Sequence, residues 1–216
     1  MLKRLYEPTW LFFGASVFLV SVPVFFQAPL VRVFPVLSLL ITGIWFWLSW
    51  VLSSNVKTRL MGNLLDGFAW TWLAGSIYWG WFRAEPLLHL PLEAIGLPIA
   101  LLGILTQKNK VGSWFYLGSL FGTAMTDVYF YVVGLIPHWR QLMQVDISLA
   151  TPIFHDAVTK MSTVWGIGWA IAIVAILLMA SVSTLRLSAI HWRVFSGAVL
   201  STVLVDGLFW IAVTSA

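Results

Sequence analysis

The chain has 216 residues, of which 60% are apolar and only 9% charged, against roughly a quarter charged in an average soluble domain. With 14 Trp, 15 Phe and 5 Tyr and a mean hydropathy of +0.93, it has more apolar surface than one aqueous core could hide, so a water-soluble globular protein is excluded and lipid must cover the rest. The net charge of +4 sits in scattered pairs between hydrophobic runs, without the basic stripe of a nucleic-acid binder, and the absence of cysteine excludes disulfides, thiolate metal sites and cysteine nucleophiles.

A spanning helix needs roughly 20 apolar residues, because every backbone N–H and C=O must be satisfied inside the segment. Seven stretches qualify: Thr9 to Ala28, Val33 to Ser53, Asn63 to Phe82, Pro91 to Leu105, Ser113 to Ile136, Met161 to Ser181 and Val194 to Val213. The first follows Lys3 and Arg4 as a signal peptide would, but Phe25 and Phe26 stand where small cleavage-site residues belong, so it reads as retained. Pro98 interrupts the fourth. The longest connection, His138 to Lys160, carries Trp139, Leu142, Met143 and Val145 and reads as a short segment lying in the interface. The fold class is therefore all-α: a polytopic bundle of about seven transmembrane helices, with residues 1–216 forming a single integral membrane domain.

Lys and Arg in short loops stay preferentially on the cytoplasmic side. With the N-terminus inside, the inner loops carry eight cations, Lys3, Arg4, Lys57, Arg59, Lys108, Lys110, Arg186 and Arg193, and the outer loops four, Arg32, Arg83, Arg140 and Lys160. The asymmetry predicts a cytoplasmic N-terminus and an outer C-terminus.

Ionisable residues inside the hydrocarbon cost roughly 3 kcal/mol on insertion scales and are functional candidates by default. Asp66 and Glu93 also fit a local role. Asn63 reads as an N-cap with Asp66 three places on, and Glu93 follows Pro91 at a helix start, where a carboxylate meets the positive helix end. Asp127 and Asp206 lie far from any predicted helix end and must be paired, protonated or facing water. Hydrogen bonds from Thr123 or Tyr131 are the local alternative for Asp127, and a polar staple between helices is the alternative for both acids. Gly118 and Gly122 form a small-xxx-small ridge that lets a neighbouring helix approach closely.

With this topology Glu93, Asp127 and Asp206 fall at mid-membrane or in the outer half, beneath a rim of Arg32, Arg83, His89, His138 and Arg140. That pattern predicts an outward-opening polar pocket, with Glu93, Asp127 and Asp206 as catalytic acids. Asp66, Arg83, His89, Trp79 and Arg140 are the candidate ligand-binding residues. Trp70, Trp72, Trp79 and Trp81 supply aromatic surface to cradle a planar or polyene ligand, or serve as belt residues. The four His lack metal-ligand spacing, so no metal or other cofactor is indicated. His138-Trp139-Arg140 recurs as His191-Trp192-Arg193, which reads as a pair of interfacial anchors. Leu64-Leu65-Asp66-Gly67-Phe68-Ala69-Trp70 is echoed by Leu204-Val205-Asp206-Gly207-Leu208-Phe209-Trp210, with flanks that do not match.

Three segments carry a likeness: Gly75-Ser76-Ile77-Tyr78-Trp79-Gly80-Trp81; His89-Leu90-Pro91-Leu92-Glu93-Ala94-Ile95-Gly96-Leu97-Pro98; and Leu117 to Gly122 through Thr126-Asp127 to His138-Trp139-Arg140-Gln141-Leu142-Met143. On these the chain resembles a cyanobacterial integral membrane family of unknown function, which implies a cyanobacterial plasma or thylakoid membrane and no activity. Locally, Asp66, the aromatic stretch after Gly75 and Leu90-Pro91-Leu92-Glu93 look like one half of the membrane-embedded lycopene cyclases, implying an acid role for Glu93. Ala94 replaces the second acid of that motif, and the later half has no second Pro-x-Glu.

Three readings follow. The first is recognition and acid-assisted conversion of an apolar isoprenoid-type ligand such as a carotenoid pigment or a quinone. The second is a non-enzymatic accessory or assembly protein of photosynthetic membrane-protein complexes, docking through lipid-facing aromatics and the glycine ridge. The third is a proton-coupled carrier. In right-side-out vesicles, single cysteines replacing Lys57 and Lys108 should resist a membrane-impermeant maleimide, and one replacing Arg140 should react. The reverse pattern, or an even number of spans, overturns the topology.

Overall fold

Prolines and glycines set the breaks between the apolar runs. Pro35 opens α2 (Pro35–Ser53) directly after α1 (Pro8–Val33), because proline lacks an N–H that a first turn would leave unpaired. α3 (Arg59–Ile77) runs into one π-helical turn, Tyr78–Phe82. The fourth run is broken into a 3-10 turn at Pro86–Leu88, α4 (His89–Glu93), a second 3-10 turn at Ala94–Gly96, and α5 (Leu97–Leu105). α6 (Lys110–Val133) ends on Gly134, whose left-handed φ of 76° suits a residue without Cβ. The chain then bends by 101° into α7 (Ile136–Gln144). α8 (Ala150–Met161), α9 (Val164–Leu185) and α10 (Ile190–Ser215) follow. This computed structural model describes residues 8–146 and 149–215, with no strand among them; Lys3 and Arg4, used above for orientation, lie outside the described residues.

The chain is a helical, membrane-type bundle, in which five or six segments rather than the expected seven qualify as spans by length and composition. Five segments are long and apolar enough to cross a bilayer: Thr9–Val33, Pro35–Ser53, Pro86–Leu105, Val164–Leu185 and Ile190–Ile211. The bent pair α6 and α7 makes a sixth if taken as one span. α3 does not qualify, and its position explains why. Leu64, Leu65, Phe68, Ala69, Trp72, Ala74 and Ser76 are all buried in it, with α1, α2 and α6 packed around it. A helix wrapped by other helices needs little lipid-soluble surface. The interfacial segment expected between His138 and Lys160 is two helices, α7 and α8.

α6 lies at the centre of the packing. A Cβ on Gly67 of α3 would come 2.2 Å from the Gly112 carbonyl oxygen, and one on Gly112 would come 2.0 Å from that of Asn63. On another face of α6, a Cβ on Gly118 would meet the Phe195 carbonyl at 2.8 Å, and one on Gly122 would meet Thr202 Oγ1 at 1.9 Å. The glycine ridge offered above as a docking surface is therefore occupied by α10 of the same chain. Phe12, Leu64, Phe68, Trp72, Phe115 and Val194 fill one core between α1, α3, α6 and α10; Tyr129, Val133, Ile173, Leu177 and Val199 fill a second between α6, α9 and α10.

A polar staple joins the first three helices. Gln27 Nε2 donates to the Trp72 carbonyl at 2.8 Å and to Ser76 Oγ at 3.1 Å, Trp72 Nε1 donates to the Ser38 carbonyl at 3.0 Å, and the Ser38 and Ser76 hydroxyls are 2.7 Å apart. By contrast, Leu40, Ile44, Trp47 and Val51 of α2 and Ile167, Ile171, Val174 and Leu178 of α9 are exposed at helical spacing, as lipid-facing stripes are. Gly67→Ala should destabilise the protein by about 3 kcal/mol or prevent folding, because overpacking costs roughly 1–3 kcal/mol and here the obstacle is backbone. Gly14→Ala, which has open space around it, should be neutral or stabilising by up to about 1 kcal/mol. Unfolding in detergent measures both.

Candidate functional site

The π-helical turn at the end of α3 places Tyr78 and Trp79 side by side against α4. The Tyr78 ring centroid lies 4.3 Å from that of His89, and Trp79 lies 5.9 Å from it. Because α7 swings off α6 at Gly134, Trp139 closes the cluster, 6.1 Å from His89, 5.4 Å from Trp79 and 5.3 Å from Phe130. Extra-turn residues of this kind often occur where a helix must aim side chains at a site.

Inside this aromatic sleeve His89 stands between two carboxylates. Its Nδ1 is 2.8 Å from Asp127 Oδ1 on α6, and its Nε2 is 3.9 Å from Glu93 Oε1 one turn along α4. The three side chains are 13%, 10% and 13% exposed in the order His89, Asp127, Glu93. The Nδ1 edge of the ring thus bonds Asp127, while Nε2 faces Glu93 beyond hydrogen-bond distance. Two buried polar atoms of the cluster, Tyr78 Oη and Asp127 Oδ2, have no hydrogen-bond partner. Such atoms are costly unless water or a ligand satisfies them.

Tyr116 of α6 fixes the turn that carries Glu93. Its hydroxyl donates to the Glu93 carbonyl and accepts from the Gly96 N–H at 3.0 Å. Further out, Arg140 Nη2 donates to Glu85 Oε1 at 2.8 Å, Trp139 Nε1 donates to the Arg83 carbonyl at 2.7 Å, and His138 Nε2 meets Asp156 Oδ2 at 2.7 Å.

The structure thus brings Glu93, Asp127, His89 and Trp79 into one cluster, with Arg83 and Arg140 above it. Of the other two predicted acids, one is remote from the cluster and one lies at its edge, bonded to the residue beside Asp127. Asp66 lies towards the opposite end of α6, where Asn109 Nδ2 donates to its Oδ2 at 2.6 Å. Asp206 is exposed on α10 and accepts from Thr126 Oγ1 at 2.7 Å, so the expectation that it faces the bundle interior is not met. A hydroxyl on the neighbouring helix supplies its partner. The echo containing these two acids is not structural either, since Gly67 is packed against backbone and Gly207 has nothing within 4 Å.

The capping readings are also corrected. α3 starts at Arg59, so Asn63 is not its N-cap, and Glu93 ends α4 rather than opening a helix. Asp127 takes its hydrogen bond from His89, not from Thr123 or Tyr131. Neither His-Trp-Arg triplet is a pair of free anchors: Trp139 covers His89, Trp192 stacks on Trp114 at 4.3 Å, and Arg193 lies 4.6 Å over the Trp10 ring. Tyr78, Trp139 and Tyr116 were not among the predicted site residues. Among the described residues no group of three or more His, Asp or Glu side chains is arranged to hold a metal ion.

The Arg140 hydrogen bond, followed by the Leu87 N–H, holds Glu85 below the ordinary carboxylate value of 4.5. A carboxylate lowered in the folded state keeps its tie at neutral pH and loses it as the pH falls below 4.5 towards the folded value. Arg140→Gln should therefore move the Glu85 titration upward, read by NMR of carbon-13-labelled glutamate with Glu85→Gln for assignment. An unmoved titration would show that the pair does not form.

Neither a curated protein nor a solved structure matches the chain. As the resemblance implied, the family that matches is an uncharacterised one: a family model described as Protein of unknown function (DUF3120) covers residues 16–214, and the chain belongs to that family.

Proposed function

We propose that this integral membrane protein uses His89, Glu93 and Asp127 as a proton-transfer centre towards an apolar isoprenoid-type ligand, such as a carotenoid or a quinone, in a cyanobacterial plasma or thylakoid membrane. The observation that carries the reading is the imidazole held between two largely buried carboxylates beneath Tyr78, Trp79 and Trp139. Aromatic walls at membrane depth favour a ligand arriving from lipid, and a low-dielectric site strengthens the transfer of a proton to it. Glu93 is the proposed donor, His89 the relay that returns a proton from solvent to it through Nε2, and Asp127 the carboxylate that holds Nδ1–H and so orients the ring. Asp206, exposed and bonded to Thr126, takes no part in that step. The proposed orientation keeps the N-terminus cytoplasmic, counting α3 as a seventh span covered by protein.

A proton-coupled carrier is the second reading, favoured by the way α6 touches Asp66 through Asn109, Asp206 through Thr126, and carries Asp127 itself. The docking reading loses its glycine ridge to α10 and keeps only the lipid-facing aromatics.

Mass spectrometry of pigments, quinones and proteins that co-purify with the native protein identifies the ligand class. On that ligand, Glu93→Gln and Asp127→Asn should retain binding and lower turnover by roughly 10²–10⁴-fold, the usual contribution of general acid–base catalysis. Normal product formation with either amide removes that residue from the proton path. Loss of proton uptake by sealed vesicles, with product formation unaffected, would favour the carrier.

A further inference from the structure

At the end of the bundle away from His89, a cavity of ≈ 420 Å³ opens between the first turns of α3 and α6. Arg59, Lys108 and Lys110 line it, with the amides of Asn63 and Gln107 between them and Val111 on its apolar side. No acid lines this space, and none of its three cations takes part in an ion pair among the described residues. The contacts the lining does make are to neutral groups: Lys110 Nζ donates to Gln107 Oε1 at 3.1 Å, and Asn63 Nδ2 donates to the Lys108 carbonyl at 3.4 Å.

The surrounding backbone adds to the positive charge instead of offsetting it. Neither α3 nor α6 has an acid in its first turn, and neither N-cap side chain bonds the turn it precedes. Thr58 Oγ1 donates back to the Leu52 carbonyl at 2.7 Å, and Asn109 Nδ2 is committed to Asp66. Cations beside two positive helix ends repel them, which favours an anion in the space between.

We propose that this cavity binds a phosphate-bearing anion. The mixture of guanidinium, ammonium and amide donors suits phosphate oxygens, and the volume and the apolar side at Val111 leave room for what the phosphate is attached to. The phosphate can belong to an anionic lipid headgroup or be free in solution.

The test uses the full-length protein in phosphatidylcholine nanodiscs, with thermal unfolding followed as phosphatidylglycerol is raised and, separately, as inorganic phosphate is added. The wild type should gain stability, and Lys108→Gln, Arg59→Gln and Lys110→Gln should each weaken the apparent affinity by about fivefold, the effect of about 1 kcal/mol per basic residue near an anionic surface. Arg186→Gln, which removes a cation outside the cavity, should respond as the wild type does. A response to phosphatidylglycerol alone identifies a headgroup, and a response to both identifies phosphate itself. The proposal is overturned if neither anion stabilises the wild type, if cavity variants respond as the wild type does, or if Arg186→Gln loses as much as they do. Lys108 is exposed, so Lys108→Gln and the charge-preserving Lys108→Arg keep the comparison decisive should the other variants fail to fold.

Discussion

The near-contact of α6 backbone with α3 on one side and α10 on the other constrains everything around it. Glycines at 67, 112, 118 and 122 remove the side chains that would hold those helices apart, and in lipid, where no hydrophobic force draws helices together, close van der Waals packing is a main source of association. Once α6 is fixed, the site follows. Tyr116 reaches the α4–α5 turn and pins Glu93, Asp127 presents its carboxylate to His89, and the left-handed residue at Gly134 turns α7 so that Trp139 covers the imidazole. The candidate site is assembled from the π-helical turn, α4, α6 and α7.

Many polar groups at membrane depth are answered within the protein, and the answers explain which helices face lipid. Gln27, Ser38 and Ser76 satisfy one another across α1, α2 and α3, while the Ser181 and Ser196 hydroxyls are 2.8 Å apart across α9 and α10. α3 holds Asn63, Asp66 and Ser76, each bonded to another helix or its flanking loop, and can be less apolar than its neighbours because they shield it. Among the buried polar atoms without a partner, Tyr78 Oη and Asp127 Oδ2 belong to the candidate cluster, while Ser21 Oγ and Trp45 Nε1 lie on α1 and α2.

Local patterns reported what depends on local physics. Apolar length and proline positions gave the helical stretches, and the cost of a buried acid singled out Asp127. What depends on the partner across the bundle was not legible. His89 and Asp127 are 38 residues apart, and nothing in either segment specifies that α4 leans on α6. The small-residue spacing at Gly118 and Gly122 predicts a close helix without saying whether it is α10 or another protein. The His-Trp-Arg triplets have the composition of membrane anchors, and only the bend after α6 reveals that Trp139 packs inward. Asp206 shares its sequence surroundings with Asp66, yet their neighbours differ entirely: Asp66 bonds Asn109 from an enclosed helix, whereas Asp206 lies where α10, packed on α1, α6 and α9, becomes exposed at Leu204, Leu208 and Phe209.

The two ends of the bundle also treat their charges differently. At the end beyond His89, Arg140 is paired with Glu85, His138 with Asp156, and Lys160 Nζ donates to the Gly134 carbonyl that ends α6. These three side chains tie α7 and α8 to each other and to the elements beneath. At the opposite end Arg59, Lys108 and Lys110 face a cavity with no acid in it. Charge paired within the chain contributes little to the field outside it, whereas unpaired charge extends over a Debye length of about 8 Å at physiological salt. Arg59, Lys108 and Lys110 therefore make their end of the bundle a source of positive field. That is the end the distribution of Lys and Arg assigns to the cytoplasm, where anionic headgroups are available to meet it.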